Sequence, residues 1–205
     1  VDLTGGEPTI RRDLPEVIAY AREIGYETVC MITNGLVTAN KARLRSFVDA
    51  GLYDILVSLH AHEANAHDML TKMPGAHRKV LKTLENAQAI GLHLRVNHVV
   101  TNTNYQDVGK LAGLVAPFKP YALNFIVFNP TRDAAEMDKQ LGTTYHDVAP
   151  VLKEAIECYT SEIPTINIRH LPFCFLKGKE KHVKTMWQLQ YESAEWDWCM
   201  DIIHK

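Results

Sequence analysis

The chain has 205 residues, 46% hydrophobic and 22% charged, with a formal net charge of -2. This length and composition predict one substantial core in one or two domains. The weak net charge argues against a nucleic-acid-binding surface, which needs clustered Lys and Arg. No apolar run is long enough to span a bilayer and no signal peptide is visible, so we expect a soluble, cytoplasmic protein with no membrane partner.

Strand-like and helical segments alternate along the chain. Apolar runs at residues 1–5, 27–33, 53–60, 92–100 and 121–128 are separated by amphipathic helical patterns, among them residues 14–24 and 77–90. This alternation predicts a parallel α/β sheet with helices outside it. Gly25, Gly51 and Gly91 follow three predicted helix ends, where glycine is favoured. Because right-handed connections curl such a sheet, we expect a partial TIM-type barrel.

The first strand leads into Gly5-Gly6-Glu7-Pro8. Two adjacent glycines let a ligand approach the main chain and allow backbone angles that other residues avoid. Pro8 brings no amide donor. The turn therefore offers carbonyl oxygens and the Glu7 carboxylate to a ligand with a positively charged amino group. Taken alone, the motif is equally compatible with an ordinary strand-to-helix turn.

This turn resembles the Gly-Gly-Glu-Pro signature of radical S-adenosylmethionine (radical SAM) enzymes. The resemblance continues in Thr33-Asn34-Gly35 after the second strand and in Val57-Ser58-Leu59-His60-Ala61 after the third. The fourth strand, residues 92–100, is similar to the family strand near the ribose and adenine of the cofactor. The resemblance implies that the turn receives the methionine ammonium of S-adenosylmethionine (SAM). It also implies a (β/α)6 partial barrel of which this chain lacks the first β/α unit.

The candidate cofactor-binding residues follow the carboxyl ends of the strands, where barrel enzymes bind their ligands. Strand alternation places Ser58 with His60, and Arg95 with Asn97, on a common face. Ser58 and Asn97 are expected to contact the cofactor carboxylate or ribose, or else only to satisfy buried backbone groups. Arg95 must be paired or face a ligand carboxylate, because burying it unpaired is costly. The complete candidate set is Gly5, Gly6, Glu7, Pro8, Thr33, Asn34, Ser58, His60, Arg95 and Asn97.

The four cysteines are Cys30, Cys158, Cys174 and Cys199, without any Cys-x-x-Cys pair. A zinc ribbon or a secreted disulfide framework is therefore not indicated. The resemblance implies a 4Fe-4S cluster held by Cys-x3-Cys-x2-Cys, a spacing that this chain does not contain. We expect the cluster loop to precede Val1 in a longer protein, and this piece alone to be inactive. Cys174 and Cys199 are candidate ligands of an auxiliary cluster, with buried thiols as the alternative.

The resemblance also implies the chemistry. In the family, the reduced cluster cleaves SAM to methionine and a 5′-deoxyadenosyl radical, which abstracts a hydrogen from the substrate. Residues 75–104 are similar to enzymes related to the molybdenum-cofactor cyclase and to peptide-modifying maturases, so the implied substrate is a peptide or a small metabolite. The implied reductant is a protein such as flavodoxin or ferredoxin. No catalytic residue is assigned.

The last predicted barrel strand contains Asn124 and Asn129, which have opposite parity, so at most one of them faces the cavity. We assign residues 1–144 to the barrel core and residues 145–205 to a C-terminal α/β extension. The extension is expected to contain a helix at residues 147–159, a short strand at residues 165–170 and a tail with three tryptophans.

Two other functions stay open. His60-Ala61-His62 is a His-x-His at a strand end, the arrangement with which barrel hydrolases hold a divalent metal. On the first alternative, the chain is a metal-dependent hydrolase that uses these two histidines. The remaining alternative is a noncatalytic relative that has lost its cluster.

Overall fold

A computed structural model describes residues 1–128 and 141–184. Within them, seven strands form one parallel sheet in chain order. The strands are β1 (Asp2–Leu3), β2 (Cys30–Thr33), β3 (Asp54–Ser58), β4 (His93–Val100), β5 (Ala122–Val127), β6 (Thr165–Arg169) and β7 (Val183–Lys184). The helices are α1 (Leu14–Glu23), α2 (Lys41–Asp49), α3 (Ala64–Thr71), α4 (Ala76–Ile90), α5 (Val108–Val115) and α6 (Tyr145–Tyr159). No helix in these two ranges is both long and apolar enough to cross a membrane.

The five predicted barrel strands are present, but each is shorter than predicted. The glycines predicted to follow helix ends have positive φ angles of 102°, 111° and 74°, which explains why glycine ends these helices. Helix α6 begins two residues before the predicted start, because the side chain of Thr144 accepts a hydrogen bond from the Asp147 amide and caps it. Strand β7 was not predicted, since two residues carry too little pattern.

Helices α1, α2, α4, α5 and α6 pack on one face of the sheet through a continuous apolar core. Alternate strand residues supply the sheet side of this core, and all are 3% exposed or less: Met31, Ile55, Val57, Leu94, Val96, Leu123, Phe125, Ile166 and Ile168. Each such side chain contributes about 1.5–3 kcal/mol when it is fully buried. This packing fixes which residues of every strand face the helices and which face the other side.

The opposite, inner face carries the remaining strand residues in layers set by the strand register. The layer nearest the amino ends contains Asp2, Cys30, Asp54 and His93, and the next contains Ile32, Leu56, Arg95, Ala122 and Thr165. The third, which we call the asparagine layer, contains Ser58, Asn97, Asn124 and Asn167. The layer at the carboxyl ends contains Val99, Ile126, Arg169 and Lys184. The asparagine layer thus lies in the half of the inner face nearer the carboxyl ends of the strands, on the side where barrels bind ligands.

Candidate functional site

The turn after β1 presents open main chain at the carboxyl edge of the sheet. Gly5 has a φ of 114°, a conformation that side chains rarely adopt. A Cβ atom built on Gly5 or Gly6 meets no atom within 4 Å, and both residues are exposed. Their backbone is therefore accessible to a ligand, as the sequence predicts.

Glu7 holds this turn against the end of β2. Its Oε1 accepts from the Thr9 amide at 3.1 Å, the Thr9 hydroxyl at 2.6 Å and the Thr33 hydroxyl at 2.7 Å. Its Oε2 accepts from the Asn34 amide at 2.7 Å. The sequence suggested that this carboxylate serves a ligand amino group, but its hydrogen bonds show that it first organises the turn. Thr33 and Asn34 therefore hold the carboxylate of Glu7 in position. The Thr33 hydroxyl also accepts a hydrogen bond from the Gly35 amide.

Ser58 and Asn97 lie next to each other on the inner face, in register on β3 and β4. Both side chains are partly buried, and they lie at the same height along the sheet as Asn124 and Asn167. Asn124 faces inward, as do Ala122 and Ile126 of the same strand, which answers the parity question for Asn124. Asn129 lies outside the described residues. Asn167 was missed, although its position between Ile166 and Ile168 in a predicted strand gives it inward parity.

Arg95 lies one layer below Asn97 and forms an ion pair with Asp54. The guanidinium Nη2 is 2.6 Å from Asp54 Oδ1, and the two side chains are 6% and 3% exposed. Asp54 also approaches Nδ1 of His93 at 2.6 Å, and the His93 ring stacks against Tyr53 and tilts against Tyr121. Of the two predicted roles for Arg95, the structure shows the paired one. Asp54 was not predicted as its partner.

His60 lies beyond the end of β3, in a cluster of imidazoles. Its backbone amide donates to His67 Nδ1 at 3.1 Å, and the His60 ring stacks on His67, which meets His77 edge-on. Burial lowers the pKa of His60 and, together with its histidine neighbours, lowers the pKa of His67 to about 4. His67 is therefore neutral at physiological pH.

The described part of the chain gives the metal-hydrolase alternative no site. Because β3 ends at Ser58, strand alternation does not bring His60 and His62 together, and His62 instead lies 3.8 Å from Asp107. Among the residues that the structure describes, no group of three or more His, Cys, Asp or Glu side chains could hold a metal ion.

The cysteines of the described ranges are unpaired thiols. Cys30 is buried on the inner face of β2, where burial, followed by the charges of Asp54 and Asp2, raises its pKa to about 11. Cys174 is exposed, so a buried thiol is the wrong description for it. Cys199 lies outside the described residues, and the auxiliary cluster stays a prediction.

Comparison with known proteins identifies the family of this chain. The model of the radical SAM superfamily matches residues 1–115. A protein named probable GTP 3′,8-cyclase from Sulfolobus acidocaldarius is 34% identical over 131 residues, which cover 63% of this chain and 41% of that protein. A protein of the same name from Metallosphaera sedula is 38% identical over 112 residues, covering 54% of this chain and 34% of its own length. The chain therefore spans less than half the length of these relatives.

Solved structures show the same fold. A domain of pyruvate-formate lyase-activating enzyme from Bacteroides vulgatus superposes with a TM-score of 0.64 at 17% identity, covering 82% of this chain and 97% of that domain. Streptococcus suis SuiB bound to S-adenosylmethionine gives a TM-score of 0.66 at 16% identity, covering 82% of this chain and 38% of SuiB.

The parallel α/β sheet and the open glycine turn at its carboxyl edge place this protein in the class of partial TIM barrels. Within it, the chain belongs to the radical SAM superfamily, a family of enzymes that use SAM and a 4Fe-4S cluster. The predicted family and fold class are confirmed. The cofactor contacts of individual residues and the division at residue 144 stay predictions.

The residues present fit SAM. The Gly5-Gly6 main chain has open space in front of it, and the inner face beside it is lined by the polar side chains of Ser58 and Asn97. A polar, donor-rich molecule such as SAM matches these groups.

Proposed function

We propose that this chain is the cofactor-binding barrel of a radical SAM enzyme, which binds SAM beside a 4Fe-4S cluster. The observation that carries the proposal is the open Gly5-Gly6 main chain, held in place by the hydrogen bonds of Glu7. A backbone fixed before binding loses little conformational entropy when the ligand arrives. The four cysteines of the chain do not form a Cys-x3-Cys-x2-Cys motif, so we propose that the cluster ligands lie outside these 205 residues.

Each candidate residue has a distinct task in this proposal. Carbonyl oxygens of the Gly5-Gly6-Glu7-Pro8 turn accept from the ammonium of the cofactor, and Thr33 and Asn34 keep Glu7 in position. Ser58 and Asn97 bind the ribose or the carboxylate, and His60 lies at the rim of this site. Arg95 supports the site from the layer below through its pairing with Asp54.

When bound and reduced, such a cofactor supplies a carbon-centred radical that removes a hydrogen atom from the substrate. The chain contributes orientation and exclusion of water rather than acid-base chemistry.

GTP is the first substrate to test, because relatives that share 34% and 38% of aligned residues are named probable GTP 3′,8-cyclases. A peptide is the second candidate, because a fold neighbour, SuiB, was solved with its precursor peptide SuiA. Flavodoxin or ferredoxin is the proposed electron donor, and the reducing cytoplasm is the proposed location of a reduced cluster. Incubating the complete, reduced gene product with SAM and either substrate, followed by mass spectrometry, distinguishes the two.

The substitution Gly6→Leu tests the cofactor site. The Cβ atom of the added side chain has no atom within 4 Å, and Gly6 does not have a positive φ angle. The fold should therefore persist. We expect the affinity of the complete gene product for SAM to fall at least about tenfold, equal to about 1.4 kcal/mol. Gly109→Leu is the matched control, because Gly109 also has open space around it but lies on α5. Equilibrium dialysis under anaerobic conditions measures both.

Two results would contradict the proposal. Equal SAM affinity of the Gly6→Leu and Gly109→Leu variants removes the turn from the cofactor site. A complete gene product that takes up no iron on reconstitution and binds no SAM instead supports the noncatalytic relative.

A further inference from the structure

The asparagine layer contains a chain of amides that reaches well beyond the proposed cofactor contacts. Asn124 Nδ2 donates to Asn97 Oδ1 at 2.8 Å, and Asn167 Nδ2 donates to Asn124 Oδ1 at 2.9 Å. The three residues are in register on β4, β5 and β6. Asn97 is the end beside Ser58, and Asn167 is the opposite end.

This amide chain has a direction. Because Oδ1 of Asn97 accepts from Asn124, the Nδ2 group of Asn97 is the part that can donate to a ligand on the β3 side. At the other end, Oδ1 of Asn167 is buried without a hydrogen-bond partner in the described ranges, and the residue is 4% exposed. A buried acceptor without a donor costs free energy, so this oxygen matches a ligand that brings an N–H or O–H group.

The opposite direction also connects the three amides to one another. Turning all three amides over keeps both bonds but presents Oδ1 of Asn97 and Nδ2 of Asn167 to the ligands. The asparagine layer is therefore a two-state element, and a ligand at either end selects one of its states.

We propose that Asn97, Asn124 and Asn167 form a directed hydrogen-bond relay between cofactor and substrate. Asn97 donates to the carboxylate or ribose of SAM, and Asn167 Oδ1 accepts from an N–H or O–H of the substrate. Asn124 and Asn167 are positioning residues for the cofactor end. The inference rests on the proposed function, and it implies that SAM and substrate raise each other's affinity, because both select the same direction.

SAM affinity of the complete gene product with its cluster tests the relay without knowledge of the substrate. Asn167→Asp keeps the size of the side chain but replaces the Nδ2 donor with a second acceptor. Asn124 then turns its Nδ2 toward β6, and Asn97 turns its Oδ1 toward the cofactor. We expect SAM affinity to fall about tenfold, the effect of one lost hydrogen bond.

Asn167→Leu is the matched control. It removes the same donor without adding an acceptor, so Asn124 continues to donate to Asn97, and we expect SAM affinity within about threefold of wild type. A role in packing alone predicts the opposite order, since leucine changes the polarity of the position more than aspartate does. If aspartate is no more harmful than leucine, the relay is wrong.

A double-mutant cycle with Asn97→Ala gives an independent check. Without the Asn97 amide the cofactor no longer senses the direction, so both Asn167 variants should bind SAM equally. An undiminished penalty for Asn167→Asp in this background overturns the relay. If Asn97→Ala alone leaves SAM affinity unchanged while Gly6→Leu lowers it, the relay fails but the turn assignment of the proposed function stands.

A second pair keeps the test decisive if Asn167→Asp does not fold, which circular dichroism will show. Asn124→Asp places an acceptor opposite Asn97 Oδ1 and forces Asn97 to turn, whereas Asn124→Leu does not. We again expect the aspartate variant to bind SAM more weakly than the leucine variant, and the reverse order contradicts the relay.

Discussion

Replacing His98 by asparagine should flatten the loss of stability in acid. His98 lies on the helix-facing side of β4 and is 1% exposed. Its Nδ1 is 2.9 Å from the Leu59 carbonyl oxygen, its ring meets Phe125 edge-on at 5.7 Å, and its Nε2 is buried without a hydrogen-bond partner in the described chain. Burial, with repulsion from His60 and His67, lowers the pKa of His98 from 6.5 to about 4.

The sign and size of the effect follow from this shift. The unfolded chain takes up a proton near pH 6.5, while the folded chain resists protonation until about pH 4. The contribution of neutral His98 is therefore fully present above pH 6.5 and is lost as the pH falls toward 4. With about 1.4 kcal/mol per pKa unit, the contribution is about 3 kcal/mol.

Urea unfolding between about pH 7 and pH 4.5 measures this loss, because the free energy of unfolding is obtained at each pH. In the His98→Asn variant, the introduced amide can still donate to the Leu59 carbonyl, but it cannot be protonated. Over this range, the free energy of unfolding of the wild type should fall by about 2–3 kcal/mol more than that of the variant. The contributions of the other histidines are present in both proteins and cancel. His146→Asn, at an exposed position of α6, is the control. Parallel curves for wild type and His98→Asn refute the reasoning.

Two further substitutions test the support of the site. In Glu7→Gln, the side-chain NH2 group replaces one of the two carboxylate oxygens and faces the backbone amide of Asn34 or Thr9, so two donors oppose each other. The loss of one hydrogen bond should lower the free energy of unfolding by about 1–3 kcal/mol. Glu23→Gln, at an exposed helix position, should have almost no effect, and equal values for both variants contradict the bridging role. Arg95→Met leaves Asp54 buried beside His93 alone and should cost about 3–5 kcal/mol in urea unfolding. Asp54→Leu combined with Arg95→Met should recover most of this loss, and an equally unstable double variant argues against a charge effect.

Much of the fold could be read from the sequence, because its signals are local. The alternation of apolar strands and amphipathic helices, punctuated by glycines at helix ends, predicted the parallel sheet with five of its strands, and the short strand predicted at residues 165–170 is β6. The Gly5-Gly6 turn was recognisable because its residue types fit open backbone at a strand end, whatever lies around them. Strand parity also predicted that Arg95 and Asn97 lie on the same face of β4.

Other features depend on which strands become neighbours, and the sequence alone did not determine them. The pairing of Arg95 with Asp54 joins residues 41 positions apart, and the carboxylate of Glu7 spans 27 positions to reach Asn34. His60 and His62 looked like a metal-binding pair only while β3 was expected to continue through His60. The amide chain from Asn97 to Asn167 required the register of three strands. The strand register thus decided the partners of these side chains, because a hydrogen bond forms only where the folded sheet brings donor and acceptor within about 3 Å of each other.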